Sequence, residues 1–481
     1  MANSIKYNFF FNILFNISKV IFPLITAPYV ARVLEPDGVG LFNFANTYAS
    51  NFALFAALGI PLYGIREIAK CETLQDKTRF VSEMISVSIF TTLMCSILYI
   101  ASLFFINQLK ENYVLFLLAG LYLYVTPLRI DWYYAGIEEF KYITKRSLLI
   151  KALSVLLLFI FVHDKNDLII YISLNTVCLI LNDLWNYVKL LSSGIKPYFT
   201  IRIKKHIKPL FVLFASSVAI SIYVMLDTLM LGFISDYEQV GYYNSASHIA
   251  RVLLPIVTSL AAVAIPRLSL YMKERNWIQI NTLINKSLSV VSFLSVPITI
   301  AIILVAPTFI PLFYGESFYG AVLPLQVMVL VVIIIGFNNL TGQQVLVALG
   351  YDYLFLCSVL SGTVSNFVLN IVLIPQYGAV GAAVASVFAE ISVLLTSLFF
   401  IKKYTQITLA KISDYIKNIV VCLGFIPIFY LLDRVLESWI LIAVFTLLGS
   451  LYYMLLQFAA KNSCALLIYQ TICKRFKIRK I

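Results

Sequence analysis

The chain has 481 residues, 61% of them hydrophobic and only 12% charged, with a formal net charge of +13 and a mean hydropathy of +0.91. A water-soluble domain carries about a quarter charged residues, so this composition excludes a soluble enzyme with an ordinary polar surface. A bilayer span takes roughly 20 mostly apolar residues, and such runs follow one another almost from end to end.

Taken in chain order, the apolar runs predict about fourteen membrane-spanning helices. The first six lie near residues 12–33, 41–63, 81–106, 112–135, 147–163 and 166–191. Six more follow at 209–234, 241–264, 287–313, 320–349, 352–373 and 377–400, and a last pair at 415–432 and 438–460. Barrel strands would alternate over about ten residues, whereas these runs are long and continuous. Helices also keep every backbone hydrogen bond within the segment, as hydrocarbon requires. The expected fold class is all-α and polytopic. The first run exceeds a signal-peptide core and lacks a small-residue cleavage site, so it reads as the first span.

Orientation follows from Lys and Arg in short loops. With the N-terminal side taken as cytoplasmic, the inner loops carry Arg66, Lys70, Lys77 and Arg79, then Lys141, Lys145 and Arg146. Lys189, Lys196, Arg202, Lys204, Lys205 and Lys208 come next, followed by Arg267, Lys273 and Arg275 and by Lys402, Lys403, Lys411 and Lys417. The outer loops hold only Arg32, Lys110, Lys165 and Arg434. Both termini are therefore expected in the cytoplasm. The basic tail Lys461 and Lys474–Lys480 reads as an anchor against anionic lipid, and nothing supports nucleic-acid binding. The seven cysteines, Cys71, Cys95, Cys178, Cys357, Cys422, Cys464 and Cys473, show no CxxC spacing. They read as packing residues rather than as a disulfide framework or a zinc site.

An internal repeat is visible. Val39-Gly40-Leu41-Phe42-Asn43-Phe44-Ala45 and Val240-Gly241-Tyr242-Tyr243-Asn244-Ser245-Ala246 share the pattern Val-Gly-x-aromatic-Asn-x-Ala at an offset of 201 residues. Each follows a span and a short acidic loop and opens the next helix. The repeat divides the chain into an N-terminal lobe at 1–191, a cytoplasmic linker at 192–208, a C-terminal lobe at 209–400, and two extra spans with the basic tail at 401–481. An even number of spans in each lobe makes the repeat parallel, with its pseudo-axis along the membrane normal.

Polar residues inside the spans are costly and mark cavities or partners. Asn12, Asn16 and Lys19 recur at i, i+4 and i+7 and so share one face of span one. Asn244, His248, Arg251 and Pro255 do the same on span eight. The two stripes would line a cavity and present Lys19 and Arg251 to an anionic ligand. Arg129 and Asp131, at the end of span four, are expected to form a local network near the cytoplasmic mouth. Asp227, Asp183 and Glu390 are buried-acid candidates for pairing or for coupling to a cation, and Asp227 is a candidate partner for Arg251. Pro23, Pro28, Pro255, Pro297 and Pro324 fall in or near spans and would kink them. No catalytic constellation, metal motif or P-loop is present. An ion gradient or the membrane potential is then the expected drive.

The chain resembles the polysaccharide-transporter branch of the multidrug/oligosaccharidyl-lipid/polysaccharide exporter superfamily, and looks most like O-antigen flippases. The resemblance lies in Pro28-Tyr29-Val30-Ala31-Arg32-Val33-Leu34, in Gly59-Ile60-Pro61-Leu62-Tyr63-Gly64-Ile65-Arg66-Glu67, and above all in Asp131-Trp132-Tyr133-Tyr134-Ala135-Gly136-Ile137-Glu138 with Arg146 beyond. Tyr314-Gly315-Glu316, Gly342-Gln343-Gln344 and Asn370–Ala383 with Glu390 add to it. It implies two six-helix lobes in a V around a cationic cavity, with two further C-terminal helices. It also implies a flippase, not an enzyme, for undecaprenyl-diphosphate-linked oligosaccharide in the bacterial inner membrane. The expected partners are membrane lipid, a glycan polymerase and other assembly proteins; the expected coupling is to a proton or sodium gradient, with no cofactor. The alternatives are a peptidoglycan-precursor flippase, a multidrug/cation antiporter of the same superfamily, and a membrane glycan polymerase or ligase, which would need larger outer loops.

Overall fold

The computed structural model of the chain describes residues 5–200, 204–258, 261–274, 276–409, 413–460, 462 and 464–466. The tail Lys474–Lys480, with Arg202, Arg275, Lys411, Lys461 and Cys473, lies outside the described residues. All described regular structure is helical. Among the described residues, eight stretches are long and apolar enough to cross a membrane: Phe10–Ala57, Leu74–Phe105, Lys165–Ser192, Trp277–Tyr314, Glu316–Val347, Asp352–Tyr404, Asp414–Asp433 and Ser438–Ala459. No disulfide joins the six described cysteines. The chain forms two compact units, residues 1–241 and 242–481.

The first unit opens with α1 (Ile5–Ala57), broken at Glu35 where φ is +57°. The break falls between the first two expected spans. Helices α2 (Ile60–Ile68), α3 (Leu74–Phe105), α4 (Asn107–Glu111) and α5 (Tyr113–Tyr124) follow. Span four is not one helix. It divides into α5, a 3-10 turn at Thr126–Leu128 and α6 (Asp131–Gly136). Pro127 explains the division, because it disfavours helix at the residue before it and donates no backbone hydrogen bond. Helices α7 (Phe140–Phe161), α8 (Leu168–Ser192) and α9 (Lys204–Ile234) complete this unit.

On α3, Phe90, Leu93, Met94, Ile97 and Leu98 are exposed, whereas Ser82, Glu83 and Ser86 are buried. Apolar side chains facing out and polar ones facing in suit lipid as the surrounding solvent. Helices α1 and α7 run parallel in a steady register. Asn8 donates to Glu138 at 3.2 Å, Thr144 to the Phe11 carbonyl at 3.0 Å, Lys151 to Ser18 at 3.1 Å, and Tyr29 to the Val162 carbonyl at 2.6 Å. Spans one and five of the predicted topology likewise run in one direction.

The repeated Val-Gly motif has a definite use within this unit. A Cβ on Gly40 would collide with the Tyr237 carbonyl, and a Cβ on Gly241 would collide with the Pro36 carbonyl. Since Tyr237 stands 201 residues after Pro36, as Gly241 does after Gly40, the contact is reciprocal. Each glycine lets one backbone approach the equivalent turn of the other repeat. Asp37 sits beside this crossing; burial and then the nearby carboxylates of Glu238 and Asp236 push its carboxyl above the usual range.

The second unit holds most of α10 (Tyr237–Thr258), then α11 (Ala261–Lys273) and the long α12 (Trp277–Tyr314). The expected span at 320–349 is again segmented, into α13 (Val322–Met328), α14 (Leu330–Asn338) and a π-helical turn at Asn339–Val347. The π turn contains Gly342, whose missing side chain makes room for the Phe355 ring. Helix α15 (Asp352–Tyr404) bends at Gly378, where φ is +52°, at the start of the second of the two spans expected there. Helices α16 (Ser413–Cys422), α17 (Phe425–Asp433) and α18 (Ser438–Ala459) follow. A buried polar chain ties them to α12: Asn418 donates to Ser292 at 2.5 Å, Gln457 to Asn418 at 2.7 Å, and Asn462 to Gln457 at 2.7 Å. Such amide bridges hold helices together where lipid offers no hydrophobic drive.

Two outcomes follow from the glycine crossing. Gly40→Ala and Gly241→Ala each force backbones apart and should destabilise the protein by roughly 1–3 kcal/mol or more, read as a lowered unfolding midpoint in detergent; unchanged midpoints would refute the close approach. Asp37→Asn should raise the midpoint at pH 7. A carboxyl whose folded pKa is raised favours the fold below its unfolded value, and that contribution is lost as pH rises through the folded value. The gain should therefore vanish below about pH 4, where the wild-type carboxyl is also protonated.

Candidate functional site

Span one carries its polar stripe as expected. Asn12, Asn16 and Lys19 are exposed on α1, and the Asn16 amide donates to the Asn12 side-chain oxygen at 3.3 Å. Lys19 lies roughly 20 Å along the helix from Ile5. Its ammonium rests over the Phe15 ring, 4.3 Å from the centroid.

A second cation joins it. Lys151, on α7, places its ammonium 5.9 Å from the same Phe15 ring and 5.6 Å from Phe22. It donates to the buried Ser18 hydroxyl, which itself donates to the Phe15 carbonyl at 2.7 Å. Lys19 and Lys151 share a pocket of about 300 Å³ walled by α1, α7 and α8. Among the described residues no carboxylate makes an ion pair with either ammonium. Sequence reasoning missed Lys151. It stands inside the expected span 147–163, and a Lys within a span is itself a signal. The neighbouring cluster Lys141, Lys145 and Arg146, which reads as a basic loop, drew attention away from it.

The other basic residue of this unit expected at the site is bonded to an acid. Arg129 reaches Asp183 on α8 at 3.2 Å, donates to the Tyr122 carbonyl at 2.5 Å and stacks 3.4 Å from the Tyr122 ring centroid. The expected local network of Arg129 with Asp131 is thus split in two. Asp131 instead accepts from buried Arg146 and from Asn186, both at 2.7 Å. This explains why Asp131 and Arg146 belong to one motif. Between them Trp132, Tyr133 and Tyr134 are buried. Gly64 packs under the Trp132 ring and Gly136 against Ile65 and Ile68, so the motif docks α6 on α2.

Beside it lies a second buried network that was not foreseen. Glu83, 1% exposed, accepts from His206 at 2.7 Å, Lys205 at 3.0 Å and Arg79 at 3.2 Å. The other His206 ring nitrogen is 2.7 Å from the Tyr63 hydroxyl. It joins α2, α3 and the start of α9. The sequence signal was an acid just inside span three.

Asp227 is buried on α9 in the first unit. In the second unit Asn244 and His248 are half-buried on α10 and Arg251 is exposed. Glu390 is buried on α15, and the Asn338 amide donates to both its carboxylate, at 2.5 Å, and its backbone carbonyl, at 3.0 Å. Among the described residues no three His, Cys, Asp or Glu side chains are placed to hold a metal ion.

These features define a polytopic helical membrane protein whose first unit holds an open pocket lined by two cations. The chain belongs to the polysaccharide biosynthesis protein family, whose profile matches residues 5–272. It is 24% identical over 394 residues to a candidate O-antigen transporter of Escherichia coli K12, an alignment covering 80% of this chain and 94% of that one. Its fold is similar to that of the lipid II flippase MurJ in an inward closed conformation, with a TM-score of 0.69 at 19% identity, covering 98% and 100% of the two chains. A multidrug resistance MATE family transporter of the MOP superfamily, inward-facing, aligns with a TM-score of 0.58 at 16% identity over 80% of this chain and 94% of its own.

Removing Arg129 strands Asp183 in a buried site. Arg129→Ala should cost roughly 3–5 kcal/mol, and adding Asp183→Asn should recover much of it. Detergent-denaturation midpoints of the two variants decide; equal losses would show that the pair carries no coupling.

Proposed function

We propose that the chain is a flippase that carries an undecaprenyl-diphosphate-linked oligosaccharide, an O-antigen repeat unit, from the cytoplasmic to the periplasmic leaflet by alternating access. Family membership and the candidate O-antigen transporter of E. coli support this reading. The observation that carries it is the pair of ammoniums at Lys19, exposed, and Lys151, half-buried, in one pocket between apolar helices with no carboxylate paired to either among the described residues. A diphosphate crossing hydrocarbon must have its charge compensated, since unpaired ions there cost several kcal/mol or more. Lys19 and Arg251 compensate it through charge-assisted hydrogen bonds, and Arg can bind bidentately. Asn12, Asn16, Asn244 and His248 supply further polar contacts to the headgroup.

In this reading the protein is a transporter and not an enzyme. It crosses the bacterial inner membrane fourteen times, with both termini in the cytoplasm. Two six-helix lobes, 1–191 and 209–400, form a V joined by the linker 192–208, and the segment 401–481 adds two spans and the basic tail. Arg129 braces the cytoplasmic mouth through Asp183, while Asp227 and Glu390 are the acids open to coupling with a proton or sodium gradient. A glycan polymerase receives the product on the periplasmic side.

The test is leaflet accessibility of a labelled lipid-linked oligosaccharide in proteoliposomes. Wild-type protein should expose the glycan to an external reagent, and Arg251→Ala and Lys19→Met should each slow this at least tenfold while unfolding at the wild-type midpoint. Wild-type rates in both variants would remove these cations from the transport path.

A further inference from the structure

The geometry points to a specific ligand for the pocket between α1, α7 and α8: Lys151 and Lys19 together grip the diphosphate of a polyisoprenyl diphosphate, whose first isoprene units lie along the pocket's apolar wall. This rests on the transport reading and assigns it a subsite inside the first unit.

Three observations carry the assignment. First, the two ammoniums flank one Phe15 ring, at 4.3 and 5.9 Å from its centroid, and no carboxylate of the described residues neutralises them. Two like charges brought together in one pocket repel one another. A ligand with negative charge on two linked phosphoryl groups relieves that repulsion at both nitrogens, whereas a neutral sugar relieves neither. Second, Lys151 is positioned rather than loose. The Ser18 hydroxyl is fixed by donating to the Phe15 carbonyl and uses its lone pair to hold the ammonium at 3.1 Å. Two of the three ammonium hydrogens stay open for phosphate oxygens. Third, the lining is divided. Phe22, Pro23, Val155 and Leu158 give an apolar wall, and Thr26 and Asn175 add hydrogen-bonding groups.

Size decides which part of the substrate fits. At about 300 Å³ the pocket is at the lower end for a small-molecule site. It takes a diphosphate with a short length of chain, and an oligosaccharide must project outside it. Recognition there is of the carrier lipid rather than of the glycan. Arg146, further toward the start of α7, is bonded to Asp131, and Asp183 on α8 is bonded to Arg129. Neither Asp131 nor Asp183 therefore offers a free counter-charge to the pocket.

Binding of farnesyl diphosphate to the full-length protein in detergent tests this, with farnesyl monophosphate, farnesol and inorganic pyrophosphate as comparators. Wild type should bind farnesyl diphosphate at least tenfold more tightly than any comparator. Lys151→Met and Lys19→Met should each weaken it tenfold or more, Lys151→Arg should keep most of it, and Ser18→Ala, with both charges intact, should lose several-fold. Each variant is compared at an unchanged unfolding midpoint, and the arginine variant retains the argument if the methionine variant fails to fold. Wild-type affinity in Lys151→Met, with loss in Arg251→Ala, would overturn this subsite and leave the transport reading standing. Equal affinity for pyrophosphate and farnesyl diphosphate would overturn the apolar half of the assignment. No binding of farnesyl diphosphate by the wild type, while the same protein translocates the lipid-linked oligosaccharide, would overturn the subsite alone; failure of both would sink the transport reading with it.

Discussion

An ion among apolar helices persists only where a counter-charge, a hydrogen-bonding group or a ligand compensates it. In the first unit the buried carboxylates of Asp183 and Glu83 are met by cations. Asp183 has Arg129, and Glu83 has Arg79, Lys205 and His206. In the second, Glu390 is met by the Asn338 amide. The ammoniums of Lys19 and Lys151 are treated differently: aromatic faces and one serine hydroxyl hold them. The acids neutralised by the protein brace the fold, and the two ammoniums meet no carboxylate among the described residues.

The same constraint shapes the scaffold. Helices α1 and α7 stay in register through side chains that bond to carbonyls and hydroxyls across the interface, which keeps Lys19 and Lys151 at one level. Where contact must be closer, glycine replaces hydrogen bonding, as at Gly40 and Gly241. In the second unit the chain Ser292–Asn418–Gln457–Asn462 does with amides what a hydrophobic core does in water. Apolar side chains are then free to face outward, as along α3. An all-helical chain of this kind shares its fold with a lipid flippase and with a drug exporter. The fold alone therefore does not decide what such a chain carries.

Much of this was legible in residue order. Long apolar runs named the helical membrane class, the break at Glu35 falls where a turn was expected, and the one at Gly378 falls within two residues of the expected turn. The Asn12–Asn16–Lys19 face was readable because helical spacing is local. Segmentation near Pro127 was under-read, although proline announces it, because the hydropathy of 112–135 runs straight through. Lys151 was overlooked because a basic loop beside a span masks a Lys just within it.

What residue order by itself determined is whatever depends on neighbours a few positions away: helix, apolar span and bend. Which charges meet is not of that kind. Arg129 chose Asp183 over Asp131, Arg146 took Asp131, and Lys151 came to lie against Phe15 and Ser18, 133 positions from the latter. Those choices depend on the rotation and register of packed helices, and periodicity along one helix carries no information about which face of another will be set against it.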